Sequence, residues 1–277
     1  MYVTIFLFCI IQGFTEFLPI SSQAHLIIFN NFFSLEQSNL SIRELNIIAH
    51  FGSLLAIIIY YYKQCISLIF SFRHFFQSYL DQNAVLLKNL IYSSIPIFII
   101  GFLIADFISE NIFRSIELIG WITLIFGILL YFIDRSCLRI KNLRNISANI
   151  ALIIGIVQCF AIIPGFSRSG AILTIMRLLG YTRNSAVNYS NLLSIPAISG
   201  AMGYLLIQDT TIFTVENTIN TTSLVVLIAS FIFSLIFIHF LVVWVRKSSL
   251  SIFMWYRIIF GIIILIYSYI DLINISW

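Results

Sequence analysis

Charge is what this chain has least of. Only 9% of its 277 residues are Asp, Glu, Lys or Arg, against 60% hydrophobic residues and a mean hydropathy of +1.03. A water-facing surface alone requires charged residues at about 25%, so a soluble globular domain is excluded and a polytopic membrane protein is the class that is left. No basic residue precedes Arg43. The charged first region of a cleaved signal peptide is therefore missing, and the N-terminal segment is expected in the mature protein. Cys9, Cys65, Cys137 and Cys159 are scattered singly, which excludes the close spacing of a zinc or redox site and fits small apolar packing residues. Sixteen per cent aromatics suits lipid-facing and interfacial positions and needs no cofactor to explain it. Neither a soluble domain nor a notable linker interrupts residues 1–277, and nothing points to a nucleic-acid partner.

What is present is a series of apolar runs. At roughly 20 residues per span, they predict six transmembrane helices near 46–62, 89–107, 117–134, 186–207, 223–245 and 252–273. Two further apolar stretches, about 1–33 and 149–176, are broken by polar strings and predict helix pairs that enter the membrane and turn back. Irregular backbone at that depth is tolerated only where protein buries it or a cavity receives it. The longest polar connections are 34–45, 71–86, 135–148 and 208–222.

Basic residues are few but clustered. Lys63, Arg73 and Lys88, then Arg135, Arg139, Lys141 and Arg144, then Arg177 and Arg183, then Arg246, Lys247 and Arg257 fall in four segments. The positive-inside rule makes these cytoplasmic. Glu36 and Glu44, then Asp106, Glu110 and Glu117, then Asp209 and Glu216, and finally Asp271 mark the alternate, outward segments. On that topology the first broken pair enters from outside and the second from the cytoplasm. The two pairs echo each other at an offset of 146 residues, Gln12 with Gln158, Phe14 with Phe160 and Ser21 with Ser167. An inverted repeat is the expectation, with pseudo-repeats of roughly 1–134 and 149–273 and both polar tips meeting near the midplane.

The tips carry the chemistry. In Gln12-Gly13-Phe14-Thr15-Glu16-Phe17-Leu18-Pro19-Ile20-Ser21-Ser22-Gln23-Ala24-His25, Gln12 and Glu16 share a helical face. Pro19 disfavours helix at Leu18, and Ser21 and Ser22 present hydroxyls and backbone N–H groups where a second helix can begin. His25 returns to the face of Ser22 one turn on, so Glu16, Ser22 and His25 are expected to converge. In Pro164-Gly165-Phe166-Ser167-Arg168-Ser169-Gly170, Pro164 and Gly165 end one helix and Ser167 to Gly170 open the next. Such a helix start, with the Arg168 fork and the Ser167 and Ser169 hydroxyls, is an anion site. An arginine near the bilayer centre costs about 2.5–3.5 kcal/mol on insertion scales. Its partner is Glu16 or a phosphorylated ligand, and the serine-rich surroundings favour the ligand.

These strings resemble the two signature motifs of the undecaprenyl-diphosphatase (bacitracin-resistance) family of bacterial inner-membrane enzymes. The resemblance extends to Phe51-Gly52-Ser53-Leu54-Leu55-Ala56, Leu192-Leu193-Ser194-Ile195-Pro196 and Tyr256-Arg257, and so covers essentially the whole chain. It implies an all-α, multi-pass membrane phosphatase that hydrolyses a prenyl diphosphate lipid, undecaprenyl diphosphate, to the monophosphate carrier of peptidoglycan synthesis and inorganic phosphate. It also implies a divalent cation, Mg²⁺ or Ca²⁺, and a homodimer among membrane lipids, with an active site opening to the periplasm. Carried over by position, Glu16, Ser22, His25 and Arg168 are the catalytic set. Gln12, Ser21, Gly165, Ser167 and Ser169 bind substrate, and Glu16 and Gln12 hold the metal. Ser22 would attack the terminal phosphorus, with His25 handling its proton and Glu16 orienting the site or binding metal.

This chain departs from the family pattern at four places. Gln12 stands where many relatives have glutamate, Ile172 where threonine is expected, Ala24 where glycine is usual, and His50 near a position that often holds glutamine. One carboxylate and one substrate donor are therefore expected to be missing, while His50 reads as an ordinary polar residue. A transporter or flippase of a prenyl-phosphate lipid is the alternative, since broken helices meeting at the midplane characterise transporters. A lipid-phosphate sensor without catalysis is a third reading.

Overall fold

The computed structural model describes residues 2–33, 40–75, 81–105, 115–137, 140–208 and 220–275. The described residues are predominantly helical, with one isolated bridge between Lys141 and Tyr181. In chain order the helices are α1 (Tyr2–Phe17), α2 (Ser22–Phe32), α3 (Ile42–Tyr60), α4 (Tyr62–Ser71), α5 (Gln82–Ala105), α6 (Ile116–Ser136), α7 (Ala148–Gln158), α8 (Arg168–Leu178), α9 (Arg183–Gln208), α10 (Thr221–Lys247) and α11 (Ser251–Ile275). Six of these, α3, α5, α6, α9, α10 and α11, are long and apolar enough to cross a membrane. The protein is an all-α polytopic membrane protein.

Capping chemistry explains where the spans start earlier than hydropathy alone suggests. Ser41 and Glu44 form a reciprocal capping box that opens α3, four residues ahead of the apolar run. The Asp81 carboxylate accepts the Ala84 N–H at 2.6 Å and starts α5. Ser115, Ser147 and Asn220 cap α6, α7 and α10 in the same way, each satisfying a backbone donor that would otherwise lack a partner. The short helix α4, set off from α3 at Tyr61, was not foreseen.

The spans turn large apolar side chains outward, among them Phe98, Phe102 and Leu103 on α5, Phe132 on α6 and Ile259 and Ile263 on α11. That is the face a lipid solvent requires. Inward, the helices approach closely where side chains are small. A Cβ on Gly13 would come within 2.5 Å of Phe233 Cβ and 2.7 Å of the Ser234 amide nitrogen, and one on Gly52 within 2.7 Å of the Leu227 carbonyl oxygen. Both α1 and α3 therefore lie directly against α10, which brings Gln12, Glu16 and Ser53 into one polar patch. The helix α11 runs along α6, and α5 along α7.

Both broken pairs form, α1 with α2 and α7 with α8, each followed in sequence by longer spans. Ser21 (φ 74°) and Ser167 (φ 70°) are the only described non-glycine residues with positive φ. Each is the cap of the second helix of its pair, its Oγ accepting from the amide three residues on, Ala24 at 3.4 Å and Gly170 at 3.2 Å. The 146-residue echo thus reaches down to backbone conformation, in a region of φ that a side chain occupies only at a cost.

Three cations expected in cytoplasmic loops are instead inside the bundle. Arg177 is fully buried against Asp134, whose carboxylate also takes Arg183. Arg257, on α11, is 1% exposed and donates to backbone carbonyls. Charge counting along a sequence cannot tell a loop cation from one a helix carries into the protein. Glu36, Asp106, Glu110, Arg139, Asp209 and Glu216, which the outward and cytoplasmic assignments also used, lie outside the described residues, as does the side chain of Asp271.

Candidate active site

The first tip is set by local sequence. Pro19 follows the last turn of α1, Ser21 reverses the chain in a left-handed conformation, and α2 starts at Ser22. The one-turn spacing of Gln12 and Glu16 lets Gln12 Nε2 donate to Glu16 Oε2 at 3.2 Å. The reversal brings Ser22 back over the end of α1, and its hydroxyl donates to the same Oε2 at 2.8 Å. Ser22 is partly exposed while Glu16 is buried. The hydroxyl therefore faces the accessible side and the carboxylate lies behind it.

The second tip supplies the cation. Arg168, the first residue of α8, donates from Nη2 to Glu16 Oε1 at 3.2 Å and from Nη1 to the Ser194 carbonyl at 3.2 Å. Among the described residues, only two of the five N–H donors of this guanidinium are engaged. Gln12, Glu16, Ser22 and Arg168 are thus brought together, the two carboxylate oxygens of Glu16 dividing the serine and the arginine between them.

Four other residues expected to bind substrate build the scaffold in this structure. Ser21 Oγ accepts from the Gly165 N–H at 3.2 Å, and Ser169 donates to the Leu18 carbonyl at 2.8 Å. Ser167 caps α8 and lies 3.2 Å from Ser169 Oγ. These contacts bind one tip to the other. Arg257 completes the joint from behind, donating to the carbonyls of Pro19 (3.3 Å), Phe166 (3.2 Å), Gly165 (2.8 Å) and Thr123 (3.3 Å). A cation that solvates carbonyls from both turns offsets the cost of burying irregular backbone.

His25 does not join Ser22. Its Nδ1 is 2.7 Å from the Ser21 carbonyl and its Nε2 2.8 Å from Tyr256 Oη, and the ring stacks on Phe260 at 4.1 Å. Three residues along a helix is not quite a full turn, and the ring takes the side that faces α11. The Nδ1–H donates to a carbonyl, so in the neutral ring Nε2 accepts from Tyr256. Ile172, which stands where the family pattern has threonine, is fully buried in the apolar core. Gln158, the echo of Gln12, bonds the Ser93 carbonyl at 3.3 Å, away from Glu16.

Sequence reasoning passed over His50 as ordinary. Its Nε2 stands 3.5 Å from Glu16 Oε2 and its Nδ1 2.7 Å from the Asn46 carbonyl. Ser53 accepts from Gln12 Nε2 at 3.4 Å and pairs with Ser234 at 2.9 Å. A signal was available, because Asn46, His50 and Ser53 fall four and three apart, a polar stripe on one face of an apolar span.

For a divalent cation the donors at hand are the Glu16 carboxylate and Gln12 Oε1, the latter buried with no hydrogen-bond partner. Among the described residues no three His, Cys, Asp or Glu side chains form a metal cluster. A hard cation bound through one carboxylate and substrate phosphate oxygens needs no such cluster, so the residues present fit one. A separate cleft of about 200 Å³, almost wholly apolar, lies between α6, α7 and α8 against Phe126, Phe160, Phe166 and Arg257. It includes neither Glu16 nor Ser22.

Comparison with known proteins identifies the family. Residues 5–263 match the family model described as bacitracin resistance protein BacA. The undecaprenyl-diphosphatase of Pelagibacter ubique is 37% identical over 268 residues, covering 96% of this chain and 98% of the relative. That of Saccharophagus degradans is 36% identical over 256 residues, 91% and 92% of the two chains. That of Prochlorococcus marinus (strain MIT 9312) is 34% identical over 270 residues, 96% and 98%. With its two signature tips joined around Glu16 and the match running almost from end to end, the chain belongs to the BacA bacitracin resistance protein family.

Proposed function

We propose that this protein is an undecaprenyl-diphosphate phosphatase, converting undecaprenyl diphosphate and water to undecaprenyl phosphate and inorganic phosphate. The observation that carries the reading is the Ser22 hydroxyl held 2.8 Å from one Glu16 oxygen, with Arg168 on the other. Ser22 Oγ attacks the terminal phosphorus, the bond from phosphorus to the bridging oxygen breaks, and undecaprenyl phosphate leaves. In this reading Glu16 Oε2, which accepts the Ser22 hydroxyl hydrogen bond, receives the serine proton. Water then cleaves the phosphoserine, releasing inorganic phosphate and restoring the hydroxyl. The unengaged N–H groups of Arg168 and the backbone donors at the start of α8 stabilise the equatorial oxygens in both steps. His25, held between the Ser21 carbonyl and Tyr256, fixes the start of α2 against α11 rather than acting on Ser22 directly.

A divalent cation, Mg²⁺ or Ca²⁺, belongs to the same reading, held by Glu16 and Gln12. When bound, it would neutralise charge on the phosphoryl oxygens. The six apolar spans and the family likeness support a bacterial inner (plasma) membrane location, and the charge pattern supports the orientation. Lys63, Arg135, Arg144, Arg246 and Lys247 are exposed near span ends that the topology assigns to the cytoplasm, and the site would open to the periplasm. The matched serine caps support the inverted repeat, and family likeness supports a homodimer.

Phosphate release from undecaprenyl diphosphate by the purified protein in detergent, with and without EDTA, is the test. Release that stops with EDTA and returns with Mg²⁺ is expected. Lipid movement across a proteoliposome bilayer with no phosphate released would overturn the phosphatase and put the transporter in its place.

A further inference from the structure

His50 carries more than the established motifs use. The Asn46 carbonyl at 2.7 Å from Nδ1 can only accept, so the ring proton sits on Nδ1 and Nε2 of the neutral imidazole is a bare lone pair. That lone pair stands 3.5 Å from Glu16 Oε2, itself an acceptor. Two acceptors held face to face repel unless a proton or a metal cation lies between them. Ligands each about 2.1 Å from a tetrahedral ion stand about 3.4 Å apart, close to the 3.5 Å observed here. Gln12 adds a second sign. Its amide nitrogen faces Glu16 Oε2 while its Oε1 is buried with no donor. Half a turn of that amide would exchange the two and give the buried oxygen a cation to coordinate.

We propose that His50 Nε2 and Glu16 Oε2 are adjacent ligands of the divalent cation in this site, with Gln12 Oε1 as the third. The inference rests on the metal reading given under the proposed function and deepens it. Imidazole nitrogen suits Zn²⁺, Fe²⁺ and Ni²⁺, whereas Mg²⁺ and Ca²⁺ take oxygen; Mn²⁺ takes oxygen readily and accepts imidazole as well. This chain therefore binds transition-metal ions in preference to Mg²⁺. The ion exchanges one missing carboxylate for one nitrogen.

The experiment uses full-length protein purified in detergent, stripped with chelator and reloaded with Mn²⁺, read by pulsed electron paramagnetic resonance for coupling to a directly bound imidazole nitrogen. The wild-type protein shows the coupling and binds Mn²⁺ at least tenfold more tightly than Mg²⁺. His50→Gln loses the coupling and at least tenfold in Mn²⁺ affinity with less than a threefold change for Mg²⁺, while His25→Gln keeps the coupling. His50→Asn serves the same purpose if the glutamine variant fails to give a monodisperse protein. Bound Mn²⁺ without nitrogen coupling, or coupling that survives in the His50 variants, overturns the ligand assignment and leaves the metal reading standing; an ion pair between imidazolium and Glu16 gives that result. No saturable Mn²⁺ binding together with EDTA-resistant phosphate release overturns both. Phosphate release itself continues to report on the phosphatase.

Discussion

Helix α8 carries an arginine at each end, and the two have opposite surroundings. At its C-terminal end Arg177 is fully buried, with Nε 2.7 Å from Asp134 Oδ1, Nη1 2.5 Å from the Tyr181 carbonyl and Nη2 3.1 Å from the Asp134 carbonyl, and Arg183 donates to the same carboxylate from the other side at 2.7 Å. At its N-terminal end Arg168 makes one contact to a carboxylate and one to a carbonyl, both at 3.2 Å, and keeps a side chain 15% exposed. The first cluster is saturated and locks α6, α8 and α9 together. The second is left short of partners where an anion can complete it. Burial of charge alone does not mark a candidate site in this protein; the unfilled donor capacity of Arg168 beside the Ser22 hydroxyl does.

The comparison is sharpest at Ser22. Ser22→Ala is expected to lower turnover by at least about a thousandfold, because a nucleophile acts in the reaction itself, while the thermal transition in detergent and substrate affinity change little. Ser21→Ala, which removes a cap and a link to Gly165, is expected to lower thermal stability and to affect turnover less. The reverse order of damage would exchange the roles of the two serines.

Asp134→Asn breaks the saturated cluster and leaves Arg177 and Arg183 without their carboxylate. Removing one partner of a buried ion pair typically costs about 3–5 kcal/mol, so the variant should melt much earlier in detergent, with the turnover of the folded fraction close to wild type. A variant that keeps its stability and loses activity would show that the two clusters do not divide structure from chemistry as their geometry suggests.

Arg168→Lys is expected to reduce turnover at least about tenfold with stability nearly unchanged, since an ammonium cannot reproduce the planar fork. Wild-type turnover in this variant would remove Arg168 from phosphate binding. The smallest effect concerns orientation. A cysteine introduced at Asn142, exposed near the Asp134 end of the bundle, should leave activity intact and resist a membrane-impermeant thiol reagent in intact cells with a permeabilised outer membrane. Labelling there would place the saturated cluster, and with it Arg135 and Arg144, on the periplasmic side.

Much of this was legible in residues alone. Six apolar runs of spanning length and two runs interrupted by polar strings translate directly into helices, because the thickness of the hydrocarbon layer sets a length that sequence can be measured against. Glu16 and Arg168 stood out because a membrane makes ionisable groups expensive, and Ser22 because Pro19 marks a helix start just before it. His25 was harder. Helical spacing allowed its ring two directions, and the contacts of Tyr256 and Phe260, more than 200 positions away in the chain, determined which one it took. Arg257 was read as a loop charge for the same reason: nothing near it in sequence says that it will solvate the carbonyls of Pro19, Gly165 and Phe166.

The sequence by itself determined that this protein lies in a membrane, where its helices run and break, and which rare polar groups the breaks display. Those are consequences of local pattern and of the solvent. Only the tertiary structure decided that Ser22 meets Glu16 rather than His25, that Arg168 reaches across to the first tip, and that His50 joins them. Each of those contacts depends on a backbone reversal at Ser21 or on the close approach that Gly13 and Gly52 permit against α10. Shifts of an ångström or two, set by packing between distant segments, separate a hydrogen bond from no contact at all.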